Sequence, residues 1–103
     1  NVLESTGGKG VKYVLNSLTG GNFVERTMAC LAEVGHWCEI GKRGIQTEDE
    51  FSGRIPKATY HIYDLGDDMR DEPTKIQKIL TRLASDFEKE LLKPITEVVY
   101  PLR

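Results

Sequence analysis

The sequence predicts an α/β fold with a mostly parallel sheet, and three observations lead there. Apolar runs at 11–18, 36–40 and 58–65 have strand character, and amphipathic stretches of helical spacing lie between and after them. The first run, with Val11, Tyr13, Val14, Leu15 and Leu18, is nearly continuous rather than alternating. Continuity of that kind belongs to a strand covered on both faces, and strands joined through helices lie parallel.

Taken in order, residues 1–6 read as the tail of a helix, and Gly7, Gly8 and Gly10 supply the permissive backbone at which helices stop. The strand at 11–18 follows, then a turn at Gly20 and Gly21. Asn22 is placed to cap a helix, with Glu25 three residues later and Val24, Met28 and Leu31 on one stripe; Gly35 ends it. His36 to Ile40 reads as a short strand. From Gly41 to about Lys57 no helical or strand period is visible, so a loop is expected. Ala58 to Leu65, with Thr59, Tyr60, Ile62 and Tyr63, has the β-branched and aromatic content of a third strand.

Beyond it the period changes to that of a helix. Asp71 is a candidate N-cap, Pro73 suits a first turn, and Ile76, Ile79, Leu80, Leu83, Phe87 and Leu91 recur on one face. Lys93 and Pro94 close that helix, and Ile95 to Tyr100 reads as a last strand returning toward another domain. Three consecutive strands with their helices amount to half of a Rossmann-like three-layer fold. The glycine fingerprint G-x-G-x-x-G is absent, and Gly7, Gly8 and Gly10 precede a strand instead of following one, so they are on the wrong side to cradle phosphate.

Composition narrows the function classes. With 103 residues the chain is one domain at most, and its 14 basic and 16 acidic side chains are interspersed, for a net charge of -2. Nucleic-acid binding is not expected, because it needs a basic stripe to neutralise phosphates. No apolar run reaches the roughly 18 residues of a membrane span and no leader is apparent, so no membrane partner and a cytoplasmic location are expected. Cys30 and Cys38 are eight positions apart, spaced neither as a redox pair nor as a zinc ribbon, and read as reduced core residues. His36 and His61 have no partner at metal-ligand spacing, so no metal is expected. Trp37 and Cys38 read as strand core, and no nucleophile elbow is present. The start at Asn1, without a methionine, has the look of a piece of something longer.

The stretch Thr6-Gly7-Gly8-Lys9-Gly10-Val11-Lys12-Tyr13-Val14-Leu15-Asn16-Ser17-Leu18, then Cys30-Leu31-Ala32, then Glu39-Ile40-Gly41-Lys42, resembles the enoyl reductase domains of type I polyketide synthases and animal-type fatty acid synthases. These are zinc-independent members of the medium-chain dehydrogenase/reductase superfamily. Tyr60-His61-Ile62-Tyr63-Asp64-Leu65 is similar to the family's next strand, and 74–100 to its closing helix and strand. Lys12 departs from the family's usual Asp, and Glu33-Val34-Gly35 from its common Pro-Gly-Gly turn.

The resemblance implies that residues 1–103 are the C-terminal half of the NADPH-binding subdomain of an enoyl reductase. Its substrate would be an enoyl thioester on an acyl carrier protein. The first nucleotide-binding half and the substrate domain have no counterpart in these residues, so the chain alone is expected to be inactive. An exposed edge at 11–18 would pair with that missing half or with a second copy. Two polar tasks follow from such a reaction, stabilising the thioester enolate and supplying a proton. The family's lysine after E-I-G and its acid in the next strand map onto Lys42 and Asp64 as catalytic residues. Asn16, Ser17 and Leu18, with Ile40 and Gly41, map to the nicotinamide side of the cofactor. Alternatives stay open: Lys42 as a solvated loop lysine, Asp64 as a strand-end or capping acid, and Asn16 and Ser17 as turn residues. At the level of the chain the alternatives are a non-catalytic scaffold segment of a synthase or half of a Rossmann-like methyltransferase.

Overall fold

The computed structural model describes residues 1–102. The chain divides into two compact units, one over Asn1–Asp64 and one from Leu65 onward. In the first unit the order is α1 (Val2–Ser5), β1 (Val11–Asn16), α2 (Phe23–Met28), β2 (Leu31–Glu39), α3 (Glu48–Arg54) and β3 (Thr59–Ile62). The second holds α4 (Leu65–Asp71) and α5 (Pro73–Glu88). The strands form a parallel sheet in the order β1-β2-β3. The α/β class and the parallel sheet are as the sequence predicts.

That strand order dictates where the core lies. Two successive right-handed crossovers stepping the same way across a sheet leave their helices on the same face. Val24 and Met28 of α2 and Phe51 of α3 accordingly pack with Leu31 and Trp37, and Val14 and Tyr60 join them. Val14, Trp37 and Tyr60 stand opposite one another across the sheet. The Phe51 ring stacks on Tyr60 with 4.5 Å between centroids and tilts against Trp37 at 5.8 Å. Trp37 and Phe51 are fully buried.

The opposite face is bare, against the expectation that β1 is covered on both sides. Tyr13 and Leu15 remain 68% and 71% exposed. The rings of Tyr13, His36 and His61 stack across this face at 5.4 and 5.9 Å. A continuous apolar run reports that both faces of a strand favour cover; it does not report that the same unit supplies it.

Four further expectations are corrected. The helix after Gly21 ends at Met28, and Leu31 to Gly35 belong to β2. The cause is an irregular start: Val11 pairs with Leu31 but Tyr13 with His36, so extra residues of β2 bulge there and the strand period is lost. Gly10, at φ +81, makes this junction possible, since a Cβ there would lie 2.5 Å from the Cys30 carbonyl. Secondly, the expected loop contains α3, closed by a capping box in which Thr47 accepts from the Glu50 N–H and Glu50 accepts from the Thr47 N–H.

Thirdly, β3 stops at Ile62, and Leu65 begins α4 instead of ending a strand. Pro73 then occupies the first turn of α5 after an N-cap at Glu72, one residue past Asp71. Finally, 95–100 is not a strand: Ile95 and Tyr100 are 94% and 81% exposed and no ladder includes them. A β-rich composition forms a strand only where another strand completes its hydrogen bonds. The apolar stripe of α5 is real, yet Ile79, Leu80, Leu83 and Phe87 are all exposed.

Candidate functional site

The site is assembled by register. Asn16 stands opposite Glu39, and Glu39 opposite Ile62, so the three parallel strands end at one rim. The ladder runs one residue past each, with the Ile40 N–H donating to the Asn16 carbonyl and the Tyr63 N–H to the Glu39 carbonyl, both at 2.9 Å. The segments leaving the rim are therefore held side by side. In open α/β sheets ligands bind outside this carboxyl edge.

Here Lys42 Nζ lies 3.2 Å from Asp64 Oδ1. The lysine side chain is 70% exposed and the aspartate 37%, so solvent reaches the pair and its worth to stability is small. A cation held by a partner but not buried is available to a ligand. Leu18 and Ile40, 54% and 40% exposed, give the rim an apolar lip, and Ser17 is exposed beside Leu18. Gly41 is confined: a Cβ there would come within 3.2 Å of Glu39 Oε2, Ile45 and Thr19.

Asn16 is placed differently from a side chain that greets a ligand. It is 6% exposed, and its amide nitrogen donates to the Leu18 carbonyl at 2.9 Å and to both oxygens of Glu39 at 2.9 and 3.1 Å. Glu39 is 1% exposed and also accepts from the Gly41 N–H at 3.1 Å. Sequence reasoning passed over Glu39. In the sequence it is a lone acid after Trp37-Cys38, and only the donors that meet it in the fold show that it is buried.

Tyr60, packed against the core, feels the charge of Glu39. Its hydroxyl donates to the Gln46 carbonyl at 2.8 Å, and its acidity is weakened to a pKa of about 12, first by burial and then by the charges of Glu39 and Glu50. His36 and His61 lie on the bare sheet face, stacked on one another. Cys30 and Cys38 are both free thiols.

The family model described as zinc-binding dehydrogenase matches residues 1–103. A highly reducing polyketide synthase of Aspergillus terreus is 34% identical over 104 residues, covering 98% of this chain and 4% of the synthase. Mycoketide-CoA synthase of Mycobacterium tuberculosis is 31% identical over 99 residues, covering 96% of this chain and 2% of its own length. Among solved structures, the CurF ER cyclopropanase of the curacin A biosynthetic pathway superposes with a TM-score of 0.83 at 34% identity, covering 97% of this chain and 30% of that one. The nucleotide-binding subdomain of the PpsC enoylreductase domain of Mycobacterium tuberculosis superposes at 0.67 and 27% identity, with 89% and 52% covered. The chain thus spans a few per cent of those synthases and about half of that subdomain.

The family's description implies zinc. Among the described residues no three His, Cys, Asp or Glu side chains lie together in a way that would hold a metal ion. These residues do not fit a zinc centre. No helix among them is long and apolar enough to cross a membrane.

Proposed function

The chain belongs to the zinc-binding dehydrogenase family and, within it, to the enoyl reductases of polyketide synthases, and from that premise we propose that it completes the nucleotide-binding half of an NADPH-dependent reductase acting on enoyl thioesters carried by an acyl carrier protein. The single observation that carries the reading is the Lys42–Asp64 pair at the carboxyl rim of a parallel sheet. Residues 1–103 would supply the nicotinamide side of the cofactor site, and the phosphate cradle would come from the half that these residues do not include.

The residues at the rim suit that division. Ser17, Leu18 and Ile40 offer exposed polar and apolar surface for a flat ring, while Asn16 and Gly41 shape the two turns that carry them. NADPH, when bound, supplies the hydride that reduces the substrate's β-carbon. Charge then develops on the thioester oxygen, and an ammonium group at the rim stabilises it better than water does, because it is already oriented. Lys42 is that cation. Asp64, 3.2 Å away, keeps its Nζ aimed across the rim, from which a proton can be handed to the α-carbon.

The test uses Lys42→Ala and Asp64→Asn in the complete reductase, with turnover followed at saturating NADPH. Loss of one oxyanion donor costs roughly a hundredfold or more in kcat, so Lys42→Ala should fall by about that much and Asp64→Asn by less. Unchanged turnover in both variants would end the assignment. The scaffold alternative is separated by NADPH titration: the reductase reading requires binding when this chain is combined with the preceding half, and a scaffold requires none.

A further inference from the structure

We infer that Glu39 is a positioning residue: its buried carboxylate, gripped by the Asn16 amide on one side and the Gly41 N–H on the other, clamps the exits of β1 and β2 and so sets the turn that presents Lys42. The consequence for turnover rests on the reductase reading above; the clamp itself does not.

Three observations carry the inference. Glu39 is 1% exposed, and among the described residues no cation pairs with it. A buried carboxylate without a cation is costly, so its retention is not explained by stability, which a well-packed neutral side chain would serve at least as well. Its acceptor capacity is instead spent on two specific turns: Asn16 Nδ2 reaches both oxygens at 2.9 and 3.1 Å, and the Gly41 N–H reaches Oε2 at 3.1 Å. The same Asn16 amide also holds the Leu18 carbonyl, so one carboxylate links 16–18 to 41–42. Gly41 is the third. Its Cα hydrogen faces Glu39 Oε2, Ile45 and Thr19 so closely that a Cβ would sit 3.2 Å from each, leaving the turn little freedom to shift while the clamp is closed.

The experiment is a double-mutant cycle in the complete reductase. Glu39→Gln keeps the shape but turns an NH2 group toward either Asn16 Nδ2 or the Gly41 N–H, donor against donor. Small misplacements of catalytic groups cost up to about a hundredfold, so kcat should fall roughly tenfold or more, with the KM for the thioester changing much less. Amide exchange at Gly41 should quicken. In the Lys42→Ala background the same substitution should cost almost nothing further, because it acts through Lys42. Equal losses in both backgrounds, or unaltered turnover with Gly41 still protected, would overturn the inference. Should Glu39→Gln fail to fold, Gly41→Ala presses on the same carboxylate without removing a donor and is judged by the same cycle. If Lys42→Ala alone leaves turnover intact, the reductase assignment is what fails, and Gly41 exchange in Glu39→Gln decides the clamp independently.

Discussion

At the residue scale the rim shows how differently two carboxylates behave. Asp64 is partly exposed beside a lysine, whereas Glu39 is buried among neutral donors, and the difference reaches Tyr60. Burial and the Glu39 and Glu50 charges raise the Tyr60 phenol from 10.0 to about 12. A raised folded-state value means that the neutral phenol is favoured by folding. Tyr60 therefore contributes stability that is intact below about pH 10 and is lost as pH climbs toward about 12. Tyr60→Phe should remove that alkaline phase, and the tyrosinate absorbance difference between the two proteins should titrate well above 10. Glu39→Gln should move it back down; a difference titration centred on 10 in the parent protein would contradict this account. Lys42 and Asp64 were singled out in the sequence through the resemblance, and the burial of Trp37 was read from its place in a short strand. Glu39 was not, because a lone acid at a strand end looks the same in sequence whether it faces water or two amide donors.

At the element scale, what was legible depended on whether a segment's signal is local. α5 was found from its apolar period, and β1 from its continuous run. α3 was missed because a seven-residue helix that buries one residue, Phe51, has no period to detect. Its capping box was readable, however, in Thr47 and Glu50. Since the box holds α3 and α3 holds Phe51 against Trp37 and Tyr60, Thr47→Ala should lower unfolding stability by about 1 kcal/mol. Denaturant unfolding at constant slope measures this, and a change below a few tenths would show that the cap is dispensable. β2 was misread at its start for the opposite reason: the pairing of Val11 with Leu31 is set by the partner strand and by close approach at Gly10, neither of which leaves a periodic trace.

At the scale of the whole molecule, the sheet of the first unit has β1 at an edge with no partner strand among the described residues and, beside it, the exposed side chains of Tyr13 and Leu15. Unpaired edges with exposed apolar side chains recruit other strands. The chain by itself is therefore expected to self-associate as its concentration rises, and Tyr13→Lys should weaken that by placing a charge on the face; light scattering that reports a stable monomer of the parent chain at high concentration would refute it. The sequence by itself determined the α/β class, the direction of the strands, the long helix and the family, because these follow from short-range periodicity and from motif residues whose spacing survives in one dimension. Only the tertiary structure decided that both crossover helices lie on one face, that 95–100 joins no strand among the described residues, and that Asn16, Glu39 and Gly41 close on one another. Those outcomes depend on which groups meet across distant segments, and hydrogen bonds and burial are settled by the partner as much as by the residue itself.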